Sequence, residues 1–343
     1  MTTAVLICPG RGTYNKAELG TLARHFPDPV LLARFDAARV AAGAPSLSAL
    51  DGAARFSQAK HGRGDNASGL IFAASLGDAL SLAPEIELVA VTGNSMGWYS
   101  ALACAGAVDP KTGFEITTRM GGMMATRGAG GQILYPHMGP EWRADPAAKR
   151  ALLDLVAEIG TRPGHALSLS IDLGGMLVLA GDEAGLGAFE AAIPARERFP
   201  MRLPGHAGFH SPLVAPVSEA ALATFQMEMF GQPALPMIDG RGQIWWPGAT
   251  DRAALWDYTF GHQVTAPYDF TRAVTVAARE FAPELFIIAG PGTTLGGAVA
   301  QSLITAHWQG LDGKAAFQTR QAADPLLISM GRDDQRGLVT KGN

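Results

Sequence analysis

The chain contains the sequence Val89-Ala90-Val91-Thr92-Gly93-Asn94-Ser95-Met96-Gly97-Trp98-Tyr99-Ser100. The largely apolar residues 86–91 predict a buried strand, and the mostly small residues 100–105 predict a helix. Between them lies a Gly-x-Ser-x-Gly pentapeptide at 93–97. A strand, a sharp turn with serine at its tip and a helix make up a nucleophile elbow. This stretch therefore predicts an α/β fold with Ser95 at the end of a parallel strand.

The elbow places Ser95 where its hydroxyl can act as a nucleophile. The serine precedes the positively polarised N-terminal end of the helix. The N–H of the next residue, Met96, can donate to a developing oxyanion. The alternative is an ordinary tight turn, because Gly-x-Ser-x-Gly also arises by chance in a chain with 42 glycines. The strand and helix on either side favour the nucleophile.

Composition and charge argue against several functional classes. The 343 residues are 48% hydrophobic and 17% charged, as in ordinary globular proteins. A net charge of −4 and the lack of a lysine or arginine run argue against a nucleic-acid partner. Cys8 and Cys104 make no disulfide framework or cysteine metal motif, and we expect neither a metal nor a bound cofactor. With no bilayer-spanning run and no signal peptide, we expect a cytoplasmic protein without a membrane partner.

Residues 130–203 have a different pattern from their surroundings. Strand-like and helical segments follow one another there as strand, helix, strand, strand, helix, strand. This βαββαβ order is typical of a ferredoxin-like unit. We therefore expect this small domain to be inserted in an α/β-hydrolase-like large domain, residues 1–129 and 204–310, which carries the parallel sheet and the elbow. Residues 311–343 are polar without clear periodicity and are expected to form a loosely attached tail.

A serine nucleophile needs a base, because its hydroxyl is protonated at neutral pH. Among the eight histidines, His206 and His210 lie in one loop directly before a predicted helix, where a catalytic base is often found. The other six have no motif around them and are interpreted as surface or core histidines. Spacing alone leaves the choice between His206 and His210 open.

Four short motifs occur along the chain, namely Pro9-Gly10-Arg11-Gly12, Gly93-Asn94-Ser95-Met96-Gly97, Phe209-His210-Ser211-Pro212-Leu213 and Gly290-Pro291-Gly292. In their order and spacing they resemble motifs of the malonyl-CoA:acyl carrier protein transacylase family. That family includes the acyltransferase domains of fatty-acid and polyketide synthases. The resemblance covers the chain from the first predicted strand to the helix after the last motif, and the family also has an inserted small domain.

The resemblance implies acyl transfer through a Ser–His dyad. Ser95 would attack the thioester of an acyl-CoA, and His210 would take its proton. The backbone N–H groups of Met96 and Arg11 would hold the oxyanion. The acyl group would then pass to the phosphopantetheine thiol of an acyl carrier protein. In the family a backbone carbonyl usually orients the histidine, and here the carboxylate of Asp269 is a candidate for that role.

Several positions depart from the family pattern. Arg11, Asn94 and Trp98 stand where the family usually has glutamine, histidine and glutamate. Asn94 and Trp98 are expected to contribute to the substrate pocket. His206 is expected beside them, because the His-Ala-Phe-His pattern of malonyl-using members occurs here with an inserted glycine.

The acyl pocket also lacks an expected arginine. Malonyl-using members bind the free carboxylate through an arginine whose position matches Met120 in this chain. Arg119 is one residue away, about 100° round the helix, and should point elsewhere. Methionine at this position favours a neutral acyl group over malonyl, and the alternative is that Arg11 or Arg127 replaces the missing arginine.

Three functional hypotheses follow. The first is an acyltransferase that moves an acyl group from coenzyme A to a carrier protein. The second is a thioesterase-like hydrolase that clears acyl groups from carrier proteins. The third is a degraded relative that only binds carrier proteins, and the presence of both Ser95 and His210 argues against it.

Overall fold

Two β-sheets organise the chain in the computed structural model, which describes residues 1–341. The strands are β1 (Thr2–Cys8), β2 (Ile86–Gly93), β3 (Gly131–Pro136), β4 (Leu167–Leu173), β5 (Met176–Gly181), β6 (Met201–Arg202), β7 (Met237–Ile238), β8 (Ile244–Trp245), β9 (Tyr268–Asp269), β10 (Leu285–Ile288) and β11 (Leu327–Ser329).

The helices surround both sheets. They are α1 (Thr21–His25), α2 (Pro29–Ala41), α3 (Leu47–Asp51), α4 (Gln58–His61), α5 (Gly64–Leu80), α6 (Gly97–Cys104), α7 (Pro110–Arg127), α8 (Pro146–Gly160), α9 (Glu183–Ala192), α10 (Ala215–Thr224), α11 (Arg252–Asp257), α12 (Gln263–Thr265), α13 (Phe270–Phe281), α14 (Gly296–Thr305), α15 (Lys314–Ala323) and α16 (Asp333–Arg336). A π-helical turn, Tyr258–His262, joins α11 to α12.

The larger sheet has the strand order β11-β10-β1-β2-β7-β8. All its neighbouring pairs are parallel except β7 with β8. Its central strand β1 is buried on both faces, as expected for a parallel sheet covered by helices. Leu6 belongs to the buried cluster that includes Leu70 of α5 on one face, and Ile7 belongs to the cluster that includes Val299 of α14 on the other. This alternation follows from the two-residue period of a strand.

The smaller sheet has the order β6-β3-β5-β4-β9. Its neighbouring pairs are antiparallel except β4 with β9. Residues 131–202 contain β3, α8, β4, β5, α9 and β6 in that order, with the β4–β5 hairpin turning at Gly174 and Gly175. The fifth strand, β9, comes from outside the predicted small domain. The smaller sheet is therefore joined to the rest of the protein through the segment that leads into α13.

The prediction of a loosely attached tail is wrong for residues 311–341. Residues 342 and 343, which it also covered, lie outside the described residues. Strand β11 pairs with β10 and forms one edge of the larger sheet. Ile328 in the middle of this strand and Met330 directly after it are buried. Arg336 forms an ion pair with the buried Asp78 of α5, with 2.5 Å between Nη1 and Oδ1. The strand is three residues long, too short for its periodicity to stand out in a polar sequence.

Within residues 1–341, no helix combines the length and the apolar character that crossing a bilayer requires.

Candidate active site

The nucleophile elbow is present between β2 and α6. Strand β2 ends at Gly93, Ser95 has a φ of +56°, and α6 begins at Gly97. A positive φ is costly for a residue with a side chain, so the surrounding packing must hold it. A Cβ atom at Gly97 would lie 2.1 Å from the carbonyl oxygen of Cys8. Glycine there allows the helix to approach the end of β1, which keeps the turn sharp.

The structure brings the side chains of Ser95 and His210 together. Oγ of Ser95 lies 2.7 Å from Nε2 of His210. On the other side of the ring, Nδ1 lies 2.6 Å from the backbone carbonyl oxygen of Gln263. A carbonyl can only accept, so Nδ1 carries the proton and Nε2 is left to accept from the serine hydroxyl. This is the tautomer that a general base next to serine requires.

Burial keeps His210 neutral. It lowers the pKa of the imidazole to about 4, and the hydrogen bond to the Gln263 carbonyl opposes this shift only in part. At neutral pH the ring therefore has a free lone pair on Nε2, next to the serine proton.

Asp269 does not orient the histidine, so that prediction is wrong. Its Oδ1 accepts from the backbone N–H of Arg272, which makes it the N-cap of α13. An aspartate directly before a helix satisfies free N–H groups of the first turn. The role expected of its carboxylate is filled instead by the carbonyl of Gln263.

Gln263 was missed by the sequence reasoning, although it holds both members of the pair. In addition to its contact with His210, its side-chain amide donates to the backbone oxygen of Ser95 at 3.0 Å. The hydroxyl of Tyr99 donates to its Oε1 at 3.1 Å. Gln263 lies at the start of α12, just after the π-helical turn. No sequence motif marks the position.

The loop that carries His210 is held by the smaller sheet. Ser170 of β4 donates to the carbonyl oxygen of Phe209 at 2.8 Å, and Gln132 of β3 donates to Ser170 at 2.6 Å. Nδ1 of His206 lies 2.8 Å from Oε1 of Gln132. The smaller sheet thus positions the residue directly before His210. His206 belongs to this supporting chain, and the structure places His210 beside the serine.

Two backbone N–H groups near the serine lack acceptors. In the described part of the chain, neither Met96 nor Arg11 donates its N–H to another protein group. They belong to the two segments that line the cleft next to Ser95. Free donors beside a nucleophile are suited to an oxyanion.

Ser95 and His210 line a common cleft. Helix α7 contributes Met120 and Met124 to its wall. Other lining residues come from different segments and include Arg11, Ser68, Tyr99 and Phe209. The cleft is mostly apolar, as small-molecule sites usually are.

Solved structures of acyltransferases have the same fold. An acyl carrier protein S-malonyltransferase from Burkholderia pseudomallei has a TM-score of 0.72 and 19% identity over 98% of this chain and 99% of that chain. The malonyl-CoA:ACP transacylase of Synechocystis has a TM-score of 0.73 and 19% identity over 99% and 100%. A malonyl-transacylase solved with its type II polyketide synthase acyl carrier protein has a TM-score of 0.69 and 22% identity over 89% and 94%.

The chain has the fold of these acyltransferases. Its mixed α/β architecture with two sheets matches theirs. No protein-family profile matches the sequence. No curated protein sequence matches it significantly either.

Three predicted pocket residues lie outside the cleft of this acyltransferase fold. Trp98 is fully buried, its Nε1 donates to Thr259 at 3.0 Å, and its predicted pocket role is wrong. An indole can be buried in this way when its N–H finds an acceptor. Asn94 and His206 are half-buried and do not line the cleft either.

Met120 does face the cleft, as the family resemblance implied. It is 1% exposed and contributes to the wall. Arg119 points away, where it pairs with Glu115 at 2.8 Å and lies over the ring of Phe225. The two neighbours therefore occupy different faces of α7.

Proposed function

We propose that the protein is an acyl-CoA:acyl carrier protein S-acyltransferase that works through an acyl ester on Ser95. The observation that carries this proposal is the 2.7 Å contact between Ser95 Oγ and His210 Nε2 at the tip of an elbow that opens into a cleft. The shared fold with malonyl-transacylases supports the choice of coenzyme A and carrier-protein thioesters as substrates.

The first half-reaction acylates the serine. His210 Nε2 accepts the proton of Ser95 Oγ while Oγ bonds to the thioester carbon. The carbonyl electrons move to oxygen, and the N–H groups of Met96 and Arg11 donate to the resulting oxyanion. When this intermediate collapses, the carbon–sulfur bond breaks and the imidazolium returns the proton to the coenzyme A sulfur.

The second half-reaction runs the same steps towards the carrier protein. The phosphopantetheine thiol gives its proton to His210 as its sulfur attacks the ester carbon. Collapse of the second oxyanion breaks the bond to Ser95, and the serine oxygen regains its proton from the imidazolium. The products are an acyl thioester on the carrier protein and the free enzyme.

We further propose that the larger sheet and its helices form an α/β-hydrolase-like body and that residues 130–203 form an inserted ferredoxin-like unit. The order β6-β3-β5-β4 and the antiparallel pairing of these strands support the second assignment.

The test is mass spectrometry of the protein after incubation with acetyl-, butyryl- and malonyl-CoA, with and without a phosphopantetheinylated carrier protein. An adduct that maps to Ser95 and then moves to the carrier-protein thiol is the expected result. The Ser95→Ala variant serves as the control. Free acid in place of the carrier adduct would indicate a hydrolase, and no adduct from any substrate would contradict both enzymatic functions.

A further inference from the structure

Ser95 and His210 are positioned by different sheets. Ser95 follows β2 of the larger sheet, whereas the loop of His210 is held through Ser170 of β4 in the smaller sheet. The 2.7 Å contact between the two side chains therefore depends on how the sheets are held against each other. A buried side chain connects the sheets at this point. It belongs to Tyr268, which is 1% exposed.

Tyr268 is anchored in the smaller sheet and reaches the larger one. Its strand, β9, pairs with β4, where Tyr268 is opposite Ile171, the residue after Ser170. The Tyr268 hydroxyl donates to the carbonyl oxygen of Gly93 at 2.6 Å. Gly93 is the last residue of β2 and the first of the Gly-x-Ser-x-Gly turn. This hydrogen bond thus joins the smaller sheet directly to the start of the elbow.

The aromatic ring of Tyr268 lies against the base. The centroids of this ring and of the His210 imidazole are 5.5 Å apart, with an angle of 54° between the ring planes. Gly240 leaves room for the ring, because a Cβ atom there would lie 2.5 Å from Cδ2 of Tyr268. The ring therefore covers part of the imidazole with apolar surface and contributes to the burial that keeps His210 neutral.

Among the described residues, no charged side chain adds to the shift of the His210 pKa, whose causes are burial and one carbonyl hydrogen bond. The other ionisable residues that line the cleft are Arg11 and Tyr99. Arg11 stays protonated, and burial raises the pKa of both Tyr99 and Tyr268. Asp269, next to Tyr268 on β9, directs its carboxylate to the first turn of α13. The Tyr268 hydroxyl therefore remains a donor while His210 titrates.

We propose that Tyr268 is a positioning residue that aligns the elbow of Ser95 with the imidazole of His210 across the two sheets. The hydroxyl holds the elbow through Gly93, and the ring holds one face of the imidazole. The inference rests on the proposed acyl transfer and adds a residue to it. A small displacement of reacting groups slows the chemical step, so loss of the hydroxyl should lower the rate of acylation without weakening the binding of acyl-CoA.

The test is single-turnover acylation of Ser95 over a range of concentrations of acetyl-, butyryl- or malonyl-CoA, using the thioester that labels Ser95 fastest. Tyr268→Phe keeps the ring and should lower the saturating rate about tenfold without moving the half-saturating concentration. The matched control is Tyr135→Phe, because the hydroxyl of the buried Tyr135 also donates to a backbone carbonyl, that of Pro194, at 2.7 Å. This control should acylate at the wild-type rate.

Gly240→Ala tests the same contact from the other side. The added methyl group should displace the Tyr268 ring, and with it the hydroxyl that donates to Gly93. Acylation should then slow about as much as in Tyr268→Phe. The double variant should lose less than the product of the two single effects, because both changes disrupt one interaction.

The ring has a readout of its own, the titration of His210 followed by NMR. Tyr268→Leu uncovers part of the imidazole, so the midpoint should rise from about 4 by at least about one pH unit. Tyr268→Phe keeps the ring and should leave the midpoint unchanged. This measurement needs no substrate, and a purely structural role of Tyr268 would not move it.

A wild-type saturating rate in Tyr268→Phe would overturn the inference, and so would an unchanged His210 midpoint in Tyr268→Leu. Equal slowing in Tyr135→Phe and Tyr268→Phe would also overturn it. In each of these cases the wild-type protein still forms acyl-Ser95, so the acyltransferase proposal would survive. Absence of acyl-Ser95 in the wild-type protein with every substrate would instead remove the proposed function, and the His210 titration would still decide whether Tyr268 covers the imidazole.

Discussion

The backbone carbonyl oxygen of Gln263 lies 2.6 Å from Nδ1 of His210 and fixes the tautomer of the histidine. The side chain of the same glutamine donates to the backbone of Ser95. One residue therefore contacts both the proposed nucleophile and its proposed base. A backbone carbonyl carries no net charge, so His210 is oriented without a carboxylate that would raise its pKa.

Removing either side chain of the Ser95–His210 pair should stop or greatly slow acylation. Ser95→Ala should give no acyl-enzyme, and His210→Ala should slow its formation by about 10³-fold or more. The matched control is His206→Ala, which changes a histidine of the same loop that does not contact the serine. Single-turnover mass spectrometry measures all three. Equal loss in His206→Ala and His210→Ala would contradict the assignment of the base.

The rate of acylation should depend little on pH even within and just below the usual histidine range. Because burial lowers the pKa of His210 to about 4, the neutral, active form persists in mildly acidic solution. The apparent kcat/KM for acylation should therefore fall only as pH drops through about 4, since this parameter reports groups of the free enzyme. A midpoint near the ordinary value of about 6.5 would show that the ring is more hydrated than its burial indicates.

Asp269→Ala should affect stability and leave catalysis intact. Loss of the N-cap of α13 should reduce the free energy of unfolding by about 1 kcal/mol. Asp269→Asn keeps a capping oxygen and should cost less. Urea denaturation and the acylation rate are the two measurements. A large drop in rate with little change in stability would restore the aspartate to the role of orienting His210.

Arg336→Ala should destabilise the protein by about 3 kcal/mol, because it leaves the buried carboxylate of Asp78 without its partner. That carboxylate also accepts from the backbone N–H of Gly290 at 2.8 Å. The control is Arg332→Ala, which removes an exposed ion pair with Asp334 worth less than about 1 kcal/mol. Equal unfolding midpoints for the two variants would contradict the structural role of the C-terminal segment.

The sequence predicted those parts of the site that depend on local backbone requirements. The elbow was predictable because glycine at 93 and 97 and the adjoining apolar strand constrain the turn directly. Gln263 was not, because its role depends on a carbonyl that becomes available only where the π-helical turn meets the His210 loop. Asp269 was assigned wrongly since a carboxylate before a helix is equally suited to capping. Strand β11 exists through its pairing with β10 and leaves little local signal.

The pairing of β11 with β10 has a consequence for synthesis of the chain. Polypeptides leave the ribosome from their N-terminus, so β1 and the elbow emerge well before residues 285–288 and 327–329 that complete the sheet beside them. Until then the backbone groups on one edge of β1 have no strand to pair with, and the carboxylate of Asp78 has no ion-pair partner. The sheet that carries the serine turn is therefore complete only after residues 327–329 have left the exit tunnel.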